Sequence, residues 1–279
     1  MKKILNIYKK VGWTPLEAVE KFKLKNPVYS SKRMGYAGRL DPMAEGVLIV
    51  LCEEENKKIA QYMGFDKEYI AEILLGFNSD SNDVLGIATA GPTNSNIGNA
   101  KYDKSSEGRS QIEDNIPAGL ENKSKDEFEK DLKKKIKGFV GKYEMKIPKY
   151  SSYKVKGKPM FHYARKGIEI EEVKKKVLIK KVKVNSIYQI TNTRLLKYIE
   201  DKIGKVNGDF RQLDILKNWG KLLRDEGSYY VMNITLSVSS GTYIRAIADD
   251  FGGEYGGGLL MSLKRTRVGK FGIGNSVKI

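Results

Sequence analysis

The chain has 279 residues, 40% of them hydrophobic, which is enough apolar material for a full core and excludes a disordered polymer. A single histidine, His162, and a single cysteine, Cys52, exclude a zinc cluster of the His/Cys type and an internal disulfide framework. The 51 Lys+Arg against 34 Asp+Glu leave a formal charge of +17, above the roughly 2–8 of an ordinary small domain, and point to a polyanionic partner, most simply nucleic acid.

Residues Lys3–Lys9 read as a short strand or extended arm. Thr14-Pro15-Leu16-Glu17 is a helix start, with Thr as N-cap, Pro in the first turn and Glu reaching back. Leu16, Val19 and Phe22 then supply one apolar face up to about Lys25. Gly46–Cys52 is a buried strand, and Glu53–Met63 a helix closed by Gly64. From Lys67 to Phe77 the pattern alternates, with Tyr69, Ala71, Ile73, Leu75 and Phe77 on one strand face. Gly91–Lys123, rich in Gly, Asn, Ser and Asp, reads as a long loop. Ser124 and Glu127 open a second capping box, followed by Phe128, Leu132 and Ile136 at helical spacing. Val177–Ile190 and Tyr229–Ser239 alternate as strands, and the charged, partly helical Thr191–Gly227 lies between them as an excursion from a sheet. Gly241–Phe251 is a helix with Ile244, Ile247, Ala248 and Phe251 in one stripe, stopped by Gly252 and Gly253. Strands and helices mix without strict alternation, so the expected fold is α+β around a largely antiparallel sheet.

The longest apolar run, Val47–Cys52, is far below the roughly 18 residues of a membrane span. No signal peptide opens the chain, and the lone cysteine fits a cytoplasmic location. The sharpest segment is Gly35-Tyr36-Ala37-Gly38-Arg39-Leu40-Asp41-Pro42-Met43-Ala44-Glu45-Gly46. Its glycines permit unusual backbone angles, and Pro42 pushes Asp41 toward extended geometry at the rim of the following strand. A plain Gly/Asp/Pro turn would carry the same signature.

This segment resembles the catalytic motif of the TruB family, which makes pseudouridine in the T-loop of tRNA. Four further segments resemble that family in the same order. They are Lys9-Lys10-Val11-Gly12-Trp13-Thr14; Lys67-Glu68-Tyr69 with Leu75-Gly76, Asp80, Asp83 and Gly86; Ile147-Pro148-Lys149-Tyr150-Ser151-Ser152-Tyr153-Lys154 through Tyr163-Ala164-Arg165-Lys166-Gly167; and Ser240-Gly241-Thr242-Tyr243-Ile244-Arg245 with Asp249-Asp250. The resemblance implies a pseudouridine synthase-like fold, with a central, largely antiparallel mixed sheet flanked by helices. It implies one catalytic domain over 1–279, with insertions near 91–123 and 191–227.

The resemblance also implies roles. Asp41 would attack the uridine nucleotide as the glycosidic bond breaks; addition to the sugar and removal of a sugar proton both remain open. Arg245 would pair with Asp41, through a guanidinium fork that a lysine could not replace. Tyr69 would stack on the flipped uracil and serve in the final proton transfer. Lys9 and Tyr36 would support the loop or contact RNA. Arg39, Lys154, Tyr163, Arg165, Tyr243, Lys264 and Arg265 would face RNA, although Lys264-Arg265-Thr266-Arg267 reads equally as a solvated strand end. No cofactor or metal is implied. The partner would be the T-arm of tRNA, bound by a monomer. Two positions depart from the family pattern: Tyr36 stands where His is usual, and Lys10 where Pro is usual. The chain is also expected to lack the carboxy-terminal RNA-binding (PUA) domain of many relatives. Two rival readings are a synthase acting on another RNA, such as ribosomal RNA, and a non-catalytic RNA-binding protein on the same scaffold.

The charge balance generates the first expectation. With about 4–6 phosphates neutralised, RNA affinity should fall as roughly the third to fifth power of salt concentration. An anisotropy titration at several salt concentrations measures the slope, and a slope near zero would remove backbone electrostatics as the main source of affinity.

Overall fold

The computed structural model describes residues 1–91 and 124–279. β1 (Ile4–Lys9) leads into α1 (Pro15–Lys25), β2 (Met34–Ala37) and β3 (Ala44–Cys52). A 3-10 segment, Glu53–Lys58, and α2 (Ile59–Met63) precede β4 (Lys67–Leu75), β5 (Phe77–Ser79) and β6 (Ala88–Ala90). Then come α3 (Lys125–Lys137), β7 (Gly141–Lys146), the small hairpin β8 (Lys154–Val155) and β9 (Lys158–Pro159), and α4 (Met160–Arg165). β10 (Lys174–Thr191), α5 (Asn192–Gly204), α6 (Gln212–Leu222) and β11 (Ser228–Val238) follow. The chain closes with α7 (Ile244–Gly252), β12 (Gly258–Val268), β13 (Phe271–Gly272) and β14 (Val277–Lys278).

Ten of these strands form one sheet in the order β14-β1-β3-β12-β4-β11-β10-β7, with β2 beside β3 and β13 beside β12. Only β1–β14 and β3–β12 pair in parallel, so the sheet is mixed and largely antiparallel. The α+β expectation holds. Both capping boxes are present: Glu17 N–H donates to the Thr14 hydroxyl at 3.2 Å while Thr14 N–H donates to the Glu17 carboxylate at 2.7 Å, and Ser124 and Glu127 repeat the arrangement.

β3 is apolar on both faces because both are covered. Leu48, Val50 and Cys52 face a cluster with Ala18, Val19 and Phe22 of α1, while Val47, Ile49 and Leu51 join Ala37 and Val268. The large core sits elsewhere on the sheet. There α3, α5, α6 and α7 lay Phe128, Leu132, Leu195, Ile199, Trp219, Ile247 and Phe251 against β4, β11 and β12. At Gly46 (φ +112°) a side chain would meet the Arg265 carbonyl at 2.2 Å, so glycine here lets β12 lie close alongside β3.

Three local expectations are corrected. Leu16 is exposed, and α1 buries Pro15, Ala18, Val19 and Phe22 instead, because the helical stripe through positions 15, 18, 19 and 22 leaves position 16 on the solvent side. Glu53–Met63 is not one helix: its first six residues coil as 3-10 and only Ile59–Met63 is α. The Lys67–Phe77 strand breaks at Gly76, whose φ of +88° turns Phe77 into a separate strand. The Thr191–Gly227 excursion is two helices. Apart from Gly91, the expected 91–123 loop lies outside the described residues. Among the described residues, no helix is long and apolar enough to cross a membrane.

The excursion is docked tightly. Trp219 is fully buried, meets the Phe77 ring edge to face with centroids 5.0 Å apart, and donates its indole N–H to the Val84 carbonyl at 3.2 Å. Asn218 accepts from the Ala88 N–H at 2.7 Å, and Asn207 donates to Glu17 at 3.1 Å. At Gly12 (φ +88°) a side chain would collide with the Lys205 carbonyl. Trp219→Ala is therefore expected to cost about 3–5 kcal/mol by urea unfolding. A loss below about 1 kcal/mol would mean that the helical pair contributes little to the core.

Candidate active site

Asp41 lies in the short crossing between β2 and β3, and two buried cations hold that crossing by its carbonyls. Lys9 is inaccessible to solvent, and its Nζ donates to Ala44 O at 2.5 Å and Lys10 O at 3.1 Å. Arg265, equally buried, donates from Nε to Val47 O at 2.8 Å, from Nη2 to Gly38 O at 3.0 Å and from Nη1 to Arg39 O at 3.3 Å. The Pro42 carbonyl accepts from Gly12 N–H at 2.8 Å. Leu40 and Met43 are buried on either side, so the loop cannot swing. Burial drives the Lys9 ammonium down to about 7, opposed by the nearby Asp41 charge. Lys67 falls to about 8 through burial and the Arg265 charge, while donating to Met63 O and Phe65 O.

The Asp41 side chain is 39% exposed, and its Oδ2 lies 3.0 Å from the Nε of Arg245, on the first turn of α7. The guanidinium is almost wholly buried. Nη1 donates to Ser81 O at 2.6 Å and Nη2 to Tyr150 O at 3.0 Å. The two expected parallel bonds to Asp41 are therefore not formed. Both terminal nitrogens are spent on carbonyls, and only Nε meets the carboxylate, as an ion pair off the line of a straight hydrogen bond. The same Nε lies 3.7 Å from Oδ2 of Asp83. Asp83 is buried, accepts from the Ser81 hydroxyl at 2.7 Å and from Leu85 N–H at 3.0 Å, and is pushed up to about 6 by burial, against the pull of Arg245.

A cleft of about 830 Å³ opens over this pair. Asp41, Tyr69 and Arg245 line it together, from residues far apart in sequence. Arg39, Arg165 and Tyr243 line it too, and burial raises the Tyr243 hydroxyl. Other expected RNA contacts lie elsewhere. Lys9 is internal and supports the loop, the first of its two expected roles. Arg265 borders the cleft but is buried and spends its donors on loop carbonyls, so it is corrected from an RNA contact to a support of Asp41. Tyr36 packs against the cluster between α1 and β3. Tyr163 donates to Val155 O at 3.0 Å, fastening the β8–β9 hairpin to α4, and Lys154 stands exposed on that hairpin. Lys264 pairs with Glu45 at 2.9 Å. Sequence reasoning assigned no role to Ser81, Asp83, Tyr150 or Lys67, although all stand in the segments it singled out. Asp209, Phe210 and Arg211 carried no local signal at all, yet line the cleft.

Comparison with known proteins bears on this geometry. The family model described as TruB family pseudouridylate synthase, N-terminal domain, matches residues 26–118 and 109–202. The chain is similar to a tRNA pseudouridine synthase B of Clostridium kluyveri, 30% identical over 99% of this chain and 70% of that protein. It is also similar to one of Psychrobacter arcticus, 27% identical over 99% of this chain and 55% of that protein. The chain therefore spans 70% and 55% of the length of these two relatives. In fold it is similar to a chain of a solved Cbf5-Nop10-Gar1 complex, with a TM-score of 0.53, 16% identity, and coverage of 99% of this chain and 52% of that one.

The buried Asp83 gives a pH-dependent expectation. Its carboxyl is raised from 3.8 to about 6, so it favours folding while protonated, and that contribution is lost as pH rises from about 4 to about 6. Asp83→Asn lacks this titration. Its stability relative to the unsubstituted protein should climb across that window in urea unfolding at stepped pH, and a constant difference would remove Asp83 as the titrating group.

Proposed function

The chain belongs to the TruB pseudouridylate synthase family, and on that premise we propose that it isomerises a uridine of tRNA to pseudouridine, at the T-loop, with Asp41 as the catalytic carboxylate. The observation that carries this reading is the placement of Asp41: a partly exposed carboxylate on an immobilised loop, 3.0 Å from a buried guanidinium, at a cleft of nucleotide dimensions. Isomerisation breaks the bond from C1′ to the base nitrogen, turns the uracil, forms a bond from C1′ to the base carbon, and releases that carbon's proton while the freed base nitrogen takes one up. The atoms of the nucleotide are conserved, so no redox partner is needed.

Each neighbour then has a task. Asp41 makes the attack that opens the glycosidic bond. Arg245 holds the carboxylate in one rotamer while its own position is fixed by Ser81 and Tyr150. Tyr69, on β4 beside Arg265 of β12, offers its ring to the uracil and its hydroxyl to the departing proton. Asp41 lies in a cleft rather than on the surface, so a uridine in RNA must leave its stack to reach it. Arg39, Arg165 and Tyr243 at the cleft suit the flanking backbone. The chain acts on the T-arm as a single catalytic unit and as a monomer.

Incubation with bulk tRNA and ribosomal RNA, followed by pseudouridine mapping, tests the reading. Conversion is expected at the T-loop uridine of tRNA, and conversion confined to ribosomal RNA would overturn the target. Asp41→Asn should abolish turnover while leaving RNA binding within about tenfold, roughly 1.4 kcal/mol. Substantial turnover by that variant would remove Asp41 from the chemistry.

A further inference from the structure

The turn between α5 and α6 enters the cleft, and it is built to hold a shape. The Gln212 side chain accepts from Phe210 N–H at 2.9 Å and donates to Val206 O at 3.2 Å and Gly208 O at 2.6 Å. Arg211 adopts a left-handed φ of 61°, which a residue with a side chain takes only at a cost. Its guanidinium is fixed by two bonds to Asp80, at 2.6 and 3.3 Å, and lies 5.0 Å over the Tyr150 ring. The charge of Arg211 is thus spent within the protein.

Phe210 and Arg165 are not spent in this way. Phe210 is partly exposed and lines the cleft. The exposed Arg165 guanidinium lies 6.0 Å from its ring centroid and 5.5 Å from that of Phe161. Among the described residues no carboxylate pairs with Arg165. An accessible aromatic ring beside an unneutralised guanidinium, in a cleft that also holds Asp41, suits a ligand with one flat π face and one adjacent negative charge. An unpaired nucleotide has both.

We propose that Phe210 and Arg165 form a second base site, in which the ring stacks on an unpaired RNA base adjoining the target uridine and Arg165 meets its phosphate. The site rests on the function proposed above, and deepens it: the helical excursion contributes substrate recognition, and the RNA must present two unstacked nucleotides rather than one. Arg211 is the positioning residue that presents the ring.

Fluorescence anisotropy with a labelled T-arm stem-loop tests this by binding alone. Phe210→Ala and Phe210→Leu should each weaken binding by about tenfold or more, the range expected for one stacked base, with thermal melts unchanged. Phe210→Trp should stay within about threefold. Leu213→Ala, 83% exposed on α6, should leave affinity unchanged. An abasic residue at one flanking position should weaken the unsubstituted protein by the same factor and cost Phe210→Ala nothing more. Binding by Phe210→Ala and Phe210→Leu within twofold of the unsubstituted protein would overturn the site, as would losses that multiply at every abasic position. Ring-dependent binding without conversion of the uridine would sink the proposed function and leave the site standing. No binding of the stem-loop by the unsubstituted protein would overturn both.

Discussion

The site depends on one buried guanidinium. Arg245, on α7, faces two backbone carbonyls and two carboxylates, and these come from three separate parts of the chain: the Asp41 loop, the turn at Ser81–Asp83, and the segment at Tyr150. Removing a cation from water is costly, and the cost is offset only when its donors are met by well-placed acceptors. The two carbonyls also fix the plane of the guanidinium before any substrate arrives. Asp41 then meets a group that cannot follow it, so the carboxylate is aimed from one side while its outer face stays open to the cleft.

The same logic runs along the loop itself. A tight crossing between two strands leaves carbonyls without strand partners, and unpaired buried carbonyls are unfavourable. Lys9 and Arg265 supply the missing donors from opposite sides of Asp41. Part of the basic excess is therefore structural. The burial of Lys9 drives its ammonium toward neutrality, and the nearby carboxylate resists that shift, so loop and support are electrostatically coupled. Lys67 adds a third buried basic group held by carbonyls on the same rim.

The α5–α6 pair shows how a helical excursion between two strands can come to line a cleft. Its apolar stripe joins the main core through Leu195, Ile199 and Trp219, which fixes where the connecting turn must pass. Asp80 completes the placement, taking the Arg211 guanidinium with one edge and the Ile87 N–H with its Oδ1. The acidic turn thus works in two directions. Asp83 faces inward to Arg245, and Asp80 faces outward to the excursion.

Much of the molecule was legible in the residues alone. The two capping boxes, the alternation in β4 and β11, and the stripe on α7 depend on neighbours within a few positions, where spacing maps directly onto a face or a cap. Asp41, Tyr69 and Arg245 were legible as candidates because each stands in a segment with a distinctive order of residue types. Sequence could not say which way a cation points. Arg265 and Lys264 are adjacent in one basic run, yet the first is buried against a loop 227 positions away and the second pairs at the surface, because successive residues of a strand face opposite sides. Phe210 had no local signal, since its place is set by where two helices dock rather than by its neighbours. Local chemistry determined the elements and the candidate groups. Only long-range packing, which decides which carbonyls and carboxylates a buried charge must satisfy, assembled them around Asp41.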